Sequence, residues 1–189
     1  MIKKILDSYK KQVNLLSEGS NVLKIEKLAD DLYKSWKLRK NIYICGNGGS
    51  AANAIHIAND FIYGAGKSLG KGFKVEALSS NSSVITCLAN DIGYENIYSE
   101  QIRVKGEKGD VLIVLSGSGN SKNILKALKI ANKLGLKTHA ILGFNGGLAK
   151  KISKNVIHFS VNDMQISEDL QLVVGHACMK YLSKKKNKK

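Results

Sequence analysis

Apolar and polar positions change period repeatedly along the chain, and each change marks an element. Residues 2–16 carry Ile2, Ile5, Leu6, Tyr9, Val13 and Leu16 at helical spacing. After a break at Gly19, a second helical pattern runs over 21–38. Asn41-Ile42-Tyr43-Ile44-Cys45 reads as a first strand, followed by the turn Gly46-Asn47-Gly48-Gly49-Ser50 and a helix over 51–63. A loose loop with Gly64, Gly66, Gly70 and Gly72 then leads into a strand over 73–78. Ser79-Ser80-Asn81-Ser82-Ser83 opens a helix ending near 89–91, and another helix spans 94–104. Val111-Leu112-Ile113-Val114-Leu115 is an unbroken apolar run, the pattern of a strand buried on both faces. Ser116-Gly117-Ser118-Gly119-Asn120-Ser121 separates it from a helix over 122–134 with Ile124, Leu125, Leu128, Ala131 and Leu134 on one face. A strand over 137–142, a short helix after 143–147, a strand over 156–159 and a helix over 165–183 complete the series.

Strands alternating with helices through short turns predict an α/β fold. The expected form is a flavodoxin-like, doubly wound, five-stranded parallel sheet in the order 2-1-3-4-5, preceded by two amphipathic helices. One domain over residues 1–189 is expected, with helices 1–38 packing on the sheet or on another subunit. No apolar run is long enough to cross a bilayer, and MIKKILDSYKKQ is charged and amphipathic, unlike a signal peptide. Cys45, Cys87 and Cys178 lack metal-knuckle spacing and are expected as reduced, buried thiols in a cytoplasmic protein without a membrane partner.

The net charge of +15 adds one question, whether the partner is a nucleic acid. Lysine supplies nearly all of the excess and is spread along the chain. Its one block is the tail 184–189, expected to be disordered. Arg39 and Arg103 are the only arginines and aromatics make up 6%, so nucleic acid is not the expected partner. A net positive field instead draws in phosphorylated small molecules.

Two loops carry candidate chemistry. In a sheet of order 2-1-3-4-5, ligands bind where strands one and three send their connections to opposite faces. Those strands are followed by Gly46–Ser50 and by Ser116–Ser121. Small hydroxyl and glycine residues before a helix suit an anion: free N–H groups, the helix dipole and serine hydroxyls all point at it. Nucleotide motifs fail on context. Gly46-x-Gly48-x-x-Ala51 lacks a ribose-binding acid after strand two, and Gly64-Ala65-Gly66-Lys67-Ser68 follows a helix, with Phe61 at the earlier glycine position. No nucleotide cofactor is expected.

His56 and Asp60 are four apart on one predicted helix, and Glu168 and His176 are eight apart on another, so each pair shares a face. Together they suit either a tetrahedral metal site or the acid and base of a proton transfer. His139 and His158 fall within strands and are read as structural.

Gly46-Asn47-Gly48-Gly49-Ser50, Asn90-Asp91-x-Gly93, Ser116–Ser121 and His176 together resemble the sugar isomerase (SIS) domain family, and within it the phosphoheptose isomerase branch. The resemblance covers nearly the whole chain. It implies a homotetramer built partly on the N-terminal helices, with active sites at subunit interfaces. It also implies conversion of D-sedoheptulose 7-phosphate to D-glycero-D-manno-heptose 7-phosphate through an enediol, toward heptose for lipopolysaccharide or capsule. Carried over by position, Ser116, Ser118 and Ser121 with the Gly117 amide hold the phosphate. Asn47, Gly48, Gly49, Ser50, Asn90, Asp91 and Glu168 line the sugar, and Asp60 and His176 are the catalytic pair. One zinc per site, implied by some members, falls to His56, Asp60, Glu168 and His176. Three positions depart from the family pattern: Asp60 replaces a glutamate, Glu168 a glutamine and Gly64 an arginine, with Lys67 and Lys71 the nearby cations. Two alternatives stay open: isomerisation of another sugar phosphate, and a non-catalytic SIS protein binding a sugar phosphate or a protein partner.

Overall fold

A computed structural model describes residues 1–185. Five parallel strands form one sheet in the order β2-β1-β3-β4-β5. They are β1 (Asn41–Cys45), β2 (Lys74–Ala77), β3 (Val111–Ser116), β4 (Lys137–Leu142) and β5 (Asn155–His158). The flanking helices are α1 (Ile2–Val13), α2 (Asn21–Lys37), α3 (Gly49–Asn59), α4 (Ala65–Leu69), α5 (Ser82–Ile92), α6 (Ile97–Lys105), α7 (Lys122–Lys133), α8 (Ala149–Ile152) and α9 (Met164–Lys184). Fold class and strand order are those expected from the alternation of patterns.

Side chains alternate across β3, yet every one is buried, because helices cover both faces. Val111, Ile113 and Leu115 join the core under α2, α3, α4 and α9. Leu112 and Val114 join the core under α6, α7 and α8. The helix after β1 therefore lies on one face and the helix after β3 on the other, although the two strands pair directly. Ile44 pairs with Ile113 and Cys45 with Val114, so β3 continues past the end of β1 to Ser116, and their turns emerge side by side.

The glycine-rich stretch expected as a loop is mostly helical. α3 runs into a π-helical turn at Asp60–Gly64 and then into α4. Its glycines serve close approach: a Cβ on Gly66 would lie 2.8 Å from the Gly72 Cα, and one on Gly72 would meet the Ile62 carbonyl oxygen at 2.0 Å. Cys87 is another departure. It is exposed on α5, whereas Cys45 and Cys178 are buried as expected.

α2 is tied to the sheet by Asp31, which is 2% exposed. Its carboxylate takes Lys27 at 2.8 Å, Lys137 at 3.0 Å and the buried His139 at 3.2 Å. Burial alone would raise the Asp31 carboxyl, but the His139 imidazole beside it and the hydrogen bonds from Lys27 and Lys137 outweigh it and hold the group well below the usual carboxylate range. His139 is thus structural, as read from the sequence. The Trp36 indole donates to the Lys71 carbonyl at 2.7 Å and Arg39 to the Gly72 carbonyl at 2.9 Å, pinning the end of α2 to the segment after α4. α1 has no buried residue, and Ile2, Ile5, Leu6 and Val13 are exposed. Of the tail, Lys184 closes α9 and Lys185 lies over the Tyr181 ring; the rest of the expected disordered segment, 186–189, lies outside the described residues.

Candidate active site

Two helix N-termini meet where β1 and β3 end. α3 begins after Gly48, whose φ of 55° is left-handed, and Gly48 makes no side-chain cap. α7 begins after Ser121, which makes no side-chain cap bond, leaving its hydroxyl for a ligand, while the Ile124 N–H of the first turn is taken by Asn123 Oδ1 at 2.9 Å. Between them lies a pocket of about 90 Å³ lined by Asn47, Ser50, Leu115, Ser116, Gly117, Ser118, Ser121, Met164 and Glu168. The Ser116 hydroxyl accepts from the Gly119 N–H at 3.0 Å and the Ser118 hydroxyl from the Asn120 N–H at 3.3 Å. Each oxygen is used as an acceptor, so each O–H is available as a donor to an anion. A Cβ on Gly117 would lie 2.5 Å from the Met164 sulfur, so this loop passes close beneath the start of α9. The structure thus gathers the serines, Gly117, Asn47, Ser50 and Glu168 into one pocket, with Gly49 beside them: a Cβ there would meet the Glu168 carboxylate at 2.2 Å. The Glu168 backbone carbonyl accepts from the Asn53 side-chain amide at 2.9 Å, while its carboxylate makes no ion pair or hydrogen bond among the described residues.

The second chemistry lies further along the same helices. A Cβ on Gly175 of α9 would meet Ile57 of α3 at 2.6 Å, so the two helices approach closely there. The approach brings His56 Nε2 to 2.9 Å from His176 Nε2. Asp60 Oδ2 lies 3.6 Å from His56 and 3.4 Å from His176. The π turn begins at Asp60, and such turns often sit at functional sites because they re-aim a side chain. One ligand atom from each of His56, Asp60 and His176 lies within 4.8 Å of the other two. Two imidazoles and a carboxylate at this separation can hold a divalent metal with a coordination position open. Glu168, expected as a fourth ligand, lines the pocket between the two helix N-termini and is not among the three grouped residues.

Asn90 and Asp91 end α5 and bond each other at 2.8 Å; they are exposed and do not line the pocket. Lys67 lies over the exposed Tyr63 ring, and neither Lys67 nor Lys71 lines the pocket. His158, read as structural, lies 2.9 Å from the Phe144 carbonyl oxygen.

Three residues around the site escaped the sequence reading. The Tyr98 phenol donates to the Gly46 carbonyl, and burial pushes it well above its ordinary pKa, so it stays a donor. Asn123 bonds Asn47 through both amide atoms, and the Tyr94 hydroxyl donates to Asn47 at 3.1 Å. The one available signal was a polar residue, Asn123, at the start of a helix face that is otherwise apolar.

A profile of the SIS domain family matches residues 8–143. The chain belongs to the SIS domain family. Among relatives within it, the phosphoheptose isomerase of Clostridium acetobutylicum is 34% identical over 172 residues, covering 91% of this chain and 87% of that protein. The phosphoheptose isomerase of Helicobacter pylori strain P12 is 41% identical over 135 residues, 71% of this chain and 70% of that one. The solved structure of the Neisseria gonorrhoeae phosphoheptose isomerase superposes with a TM-score of 0.84 at 25% identity, covering 95% of this chain and 97% of that chain. The likeness to this SIS-domain structure covers the α3–α9 pair as well as the sheet. Among the described residues of this SIS-domain chain, no helix is long and apolar enough to cross a membrane.

Proposed function

We propose that the chain is an aldose–ketose isomerase that converts D-sedoheptulose 7-phosphate to D-glycero-D-manno-heptose 7-phosphate. The observation that carries this reading is the separation of two chemistries along one helix pair. Glu168, in the phosphate pocket, and His176, beside Asp60, are eight positions apart on α9, about 12 Å along its axis at the helical rise. A ketoheptose 7-phosphate carries its phosphate at one end and its carbonyl near the other, and so needs a grip and a proton-transfer group set well apart. Relatives named phosphoheptose isomerase support the same substrate.

In this reading Ser116, Ser118, Ser121 and the Gly117 amide hold the phosphate. Asn47, Gly48, Gly49, Ser50, Asn90, Asp91 and Glu168 line the polyol. Asp60 and His176 move the protons. One of them takes a proton from C1 as O2 is protonated, giving an enediol. Loss of the O1 proton and return of a proton to C2 then leaves the carbonyl at C1. Asp60 is one methylene shorter than the family's glutamate, and the π turn at its position supports a carboxylate still directed at both histidines. His56, Asp60 and His176 would hold a zinc ion, which supplies Lewis-acid stabilisation of oxyanion charge at C1–C2.

We further propose a cytoplasmic homotetramer, serving heptose synthesis for lipopolysaccharide or capsule, in a single-domain chain. The unburied apolar positions of α1 support assembly through the leading helices. So does an apolar groove of about 300 Å³ between α2 and α9, lined by Leu16, Val22, Ile25, Val173 and Ala177 among others. Purified protein incubated with sedoheptulose 7-phosphate and followed by NMR is expected to give the aldoheptose phosphate. A folded protein that binds inorganic phosphate yet leaves the ketose unchanged would overturn the reading.

A further inference from the structure

Asn47 is bonded so completely that its remaining hydrogen-bonding capacity can be counted. Its Nδ2 donates to Asn123 Oδ1 at 2.9 Å, and Asn123 Nδ2 donates back to Asn47 Oδ1 at 2.8 Å. The two amides form a closed ring between the loop after β1 and the first turn of α7. Such a ring looks the same if both amides are turned over, so the ring alone does not say which atom is oxygen. A backbone group breaks the symmetry. The Ile124 N–H, which can only donate, lies 2.9 Å from the same Asn123 atom and requires it to be oxygen. That choice fixes Asn123, and Asn123 fixes Asn47. The Tyr94 hydroxyl, 3.1 Å from Asn47 Oδ1, must then be a donor as well.

Asn123 Oδ1 thus accepts two bonds, from Asn47 and from Ile124, and Asn47 Oδ1 accepts two, from Asn123 and from Tyr94. A carbonyl oxygen has two lone pairs, so neither oxygen has capacity left. Each Nδ2 has spent one of its two hydrogens. Asn47, which lines the phosphate pocket, can therefore offer a ligand one N–H and no acceptor. Asn123 is 2% exposed and does not line the pocket, so it reaches the ligand only through Asn47. An unpaired asparagine at this point would present either end of its amide.

We propose that Asn123, assisted by Tyr94, is a positioning residue that holds Asn47 as a dedicated donor, so that the switch-point pocket selects ligands with an acceptor oxygen there. The inference rests on the pocket being the sugar-phosphate site described above. It explains why a polar side chain is buried in the first turn of α7. It also ties the two ligand loops together, so that the phosphate grip and the sugar contact keep one register.

The test is a double-mutant cycle with Asn47→Ala, Asn123→Leu and the combination. Readouts are kcat and KM for sedoheptulose 7-phosphate, the affinity for inorganic phosphate, and the side-chain amide NMR of Asn47. A hydrogen bond to a charged or polar ligand is worth roughly tenfold or more, so each single variant is expected to lose about that factor in kcat/KM. The double variant should be within about twofold of the worse single, because both changes remove one contact. Without ligand, the Asn47 amide protons of the wild type should be separated in shift, one bonded in the ring and one free, and should converge in Asn123→Leu.

Asn123→Asp keeps an acceptor for the Ile124 N–H but sets a second oxygen against Asn47 Oδ1. It is expected to lose activity in the wild-type background and much less in the Asn47→Ala background. A role confined to capping α7 predicts that Asn123→Asp is as active as wild type. That result, or losses that multiply in the double variant, overturns the inference. A wild-type protein that binds neither sedoheptulose 7-phosphate nor inorganic phosphate overturns the site itself, which is distinct from an active enzyme without coupling.

Discussion

Glu168 puts a carboxylate where the pocket otherwise offers only donors. It stands against Gly49 at the start of α3, with no cation paired to it among the described residues. A helix N-terminus favours a negative charge, so the carboxylate and an incoming phosphate compete for one field. Glu168→Gln keeps the shape and removes that charge. Its affinity for inorganic phosphate, measured by calorimetry at low salt, is expected to rise by about three- to tenfold. An unchanged or weaker affinity would mean that the carboxylate is screened from the cradle. The serines behave differently from Glu168: their oxygens are occupied by backbone N–H groups, and their protons remain for the ligand.

At the scale of elements, the decisive contact is between α3 and α9. Gly175 lets them approach, and the approach puts His56 and His176 within 2.9 Å. Gly175→Ala would drive a methyl group into Ile57, so one helix or the other must shift. A displacement near 1 Å at a reacting group costs on the order of a hundredfold in rate. The variant is therefore expected to lose kcat by roughly that order, and to bind zinc more weakly, while its far-ultraviolet circular dichroism stays helical. Full kcat would show that the histidine pair does not depend on this packing. Most of this architecture was legible in the sequence, since β1 and β3 follow directly from apolar runs bounded by turns. The stretch 64–72 was misread for a physical reason. Glycine marks both mobile turns and close backbone approach, and only the fold distinguishes the two, here at Gly66 and Gly72. Asn123 was missed because a buried amide has no periodic signature; its partner lies 76 positions away.

The whole molecule combines these parts. A sheet with helices on both faces sends the helices after β1 and β3 to opposite sides, and the turns between meet around one small polar pocket. In the proposed function, the α3–α9 pair carries the substrate's other end to Asp60 and the two histidines. A net charge of +15 steers a phosphorylated sugar toward the molecule at low ionic strength. Asp31, buried on α2, holds that helix to Lys137 and His139 of β4. The central claim is that a carboxylate and a histidine at the far end of the helix pair move the proton while the serine loop grips the phosphate. The most direct measurement compares turnover of sedoheptulose 7-phosphate by wild type, Asp60→Asn and His176→Gln, with inorganic phosphate affinity read on each. Wild-type turnover that falls by about a thousandfold or more in both variants, with phosphate affinity unchanged, is the predicted result. Variants that turn over as fast as wild type would contradict the account.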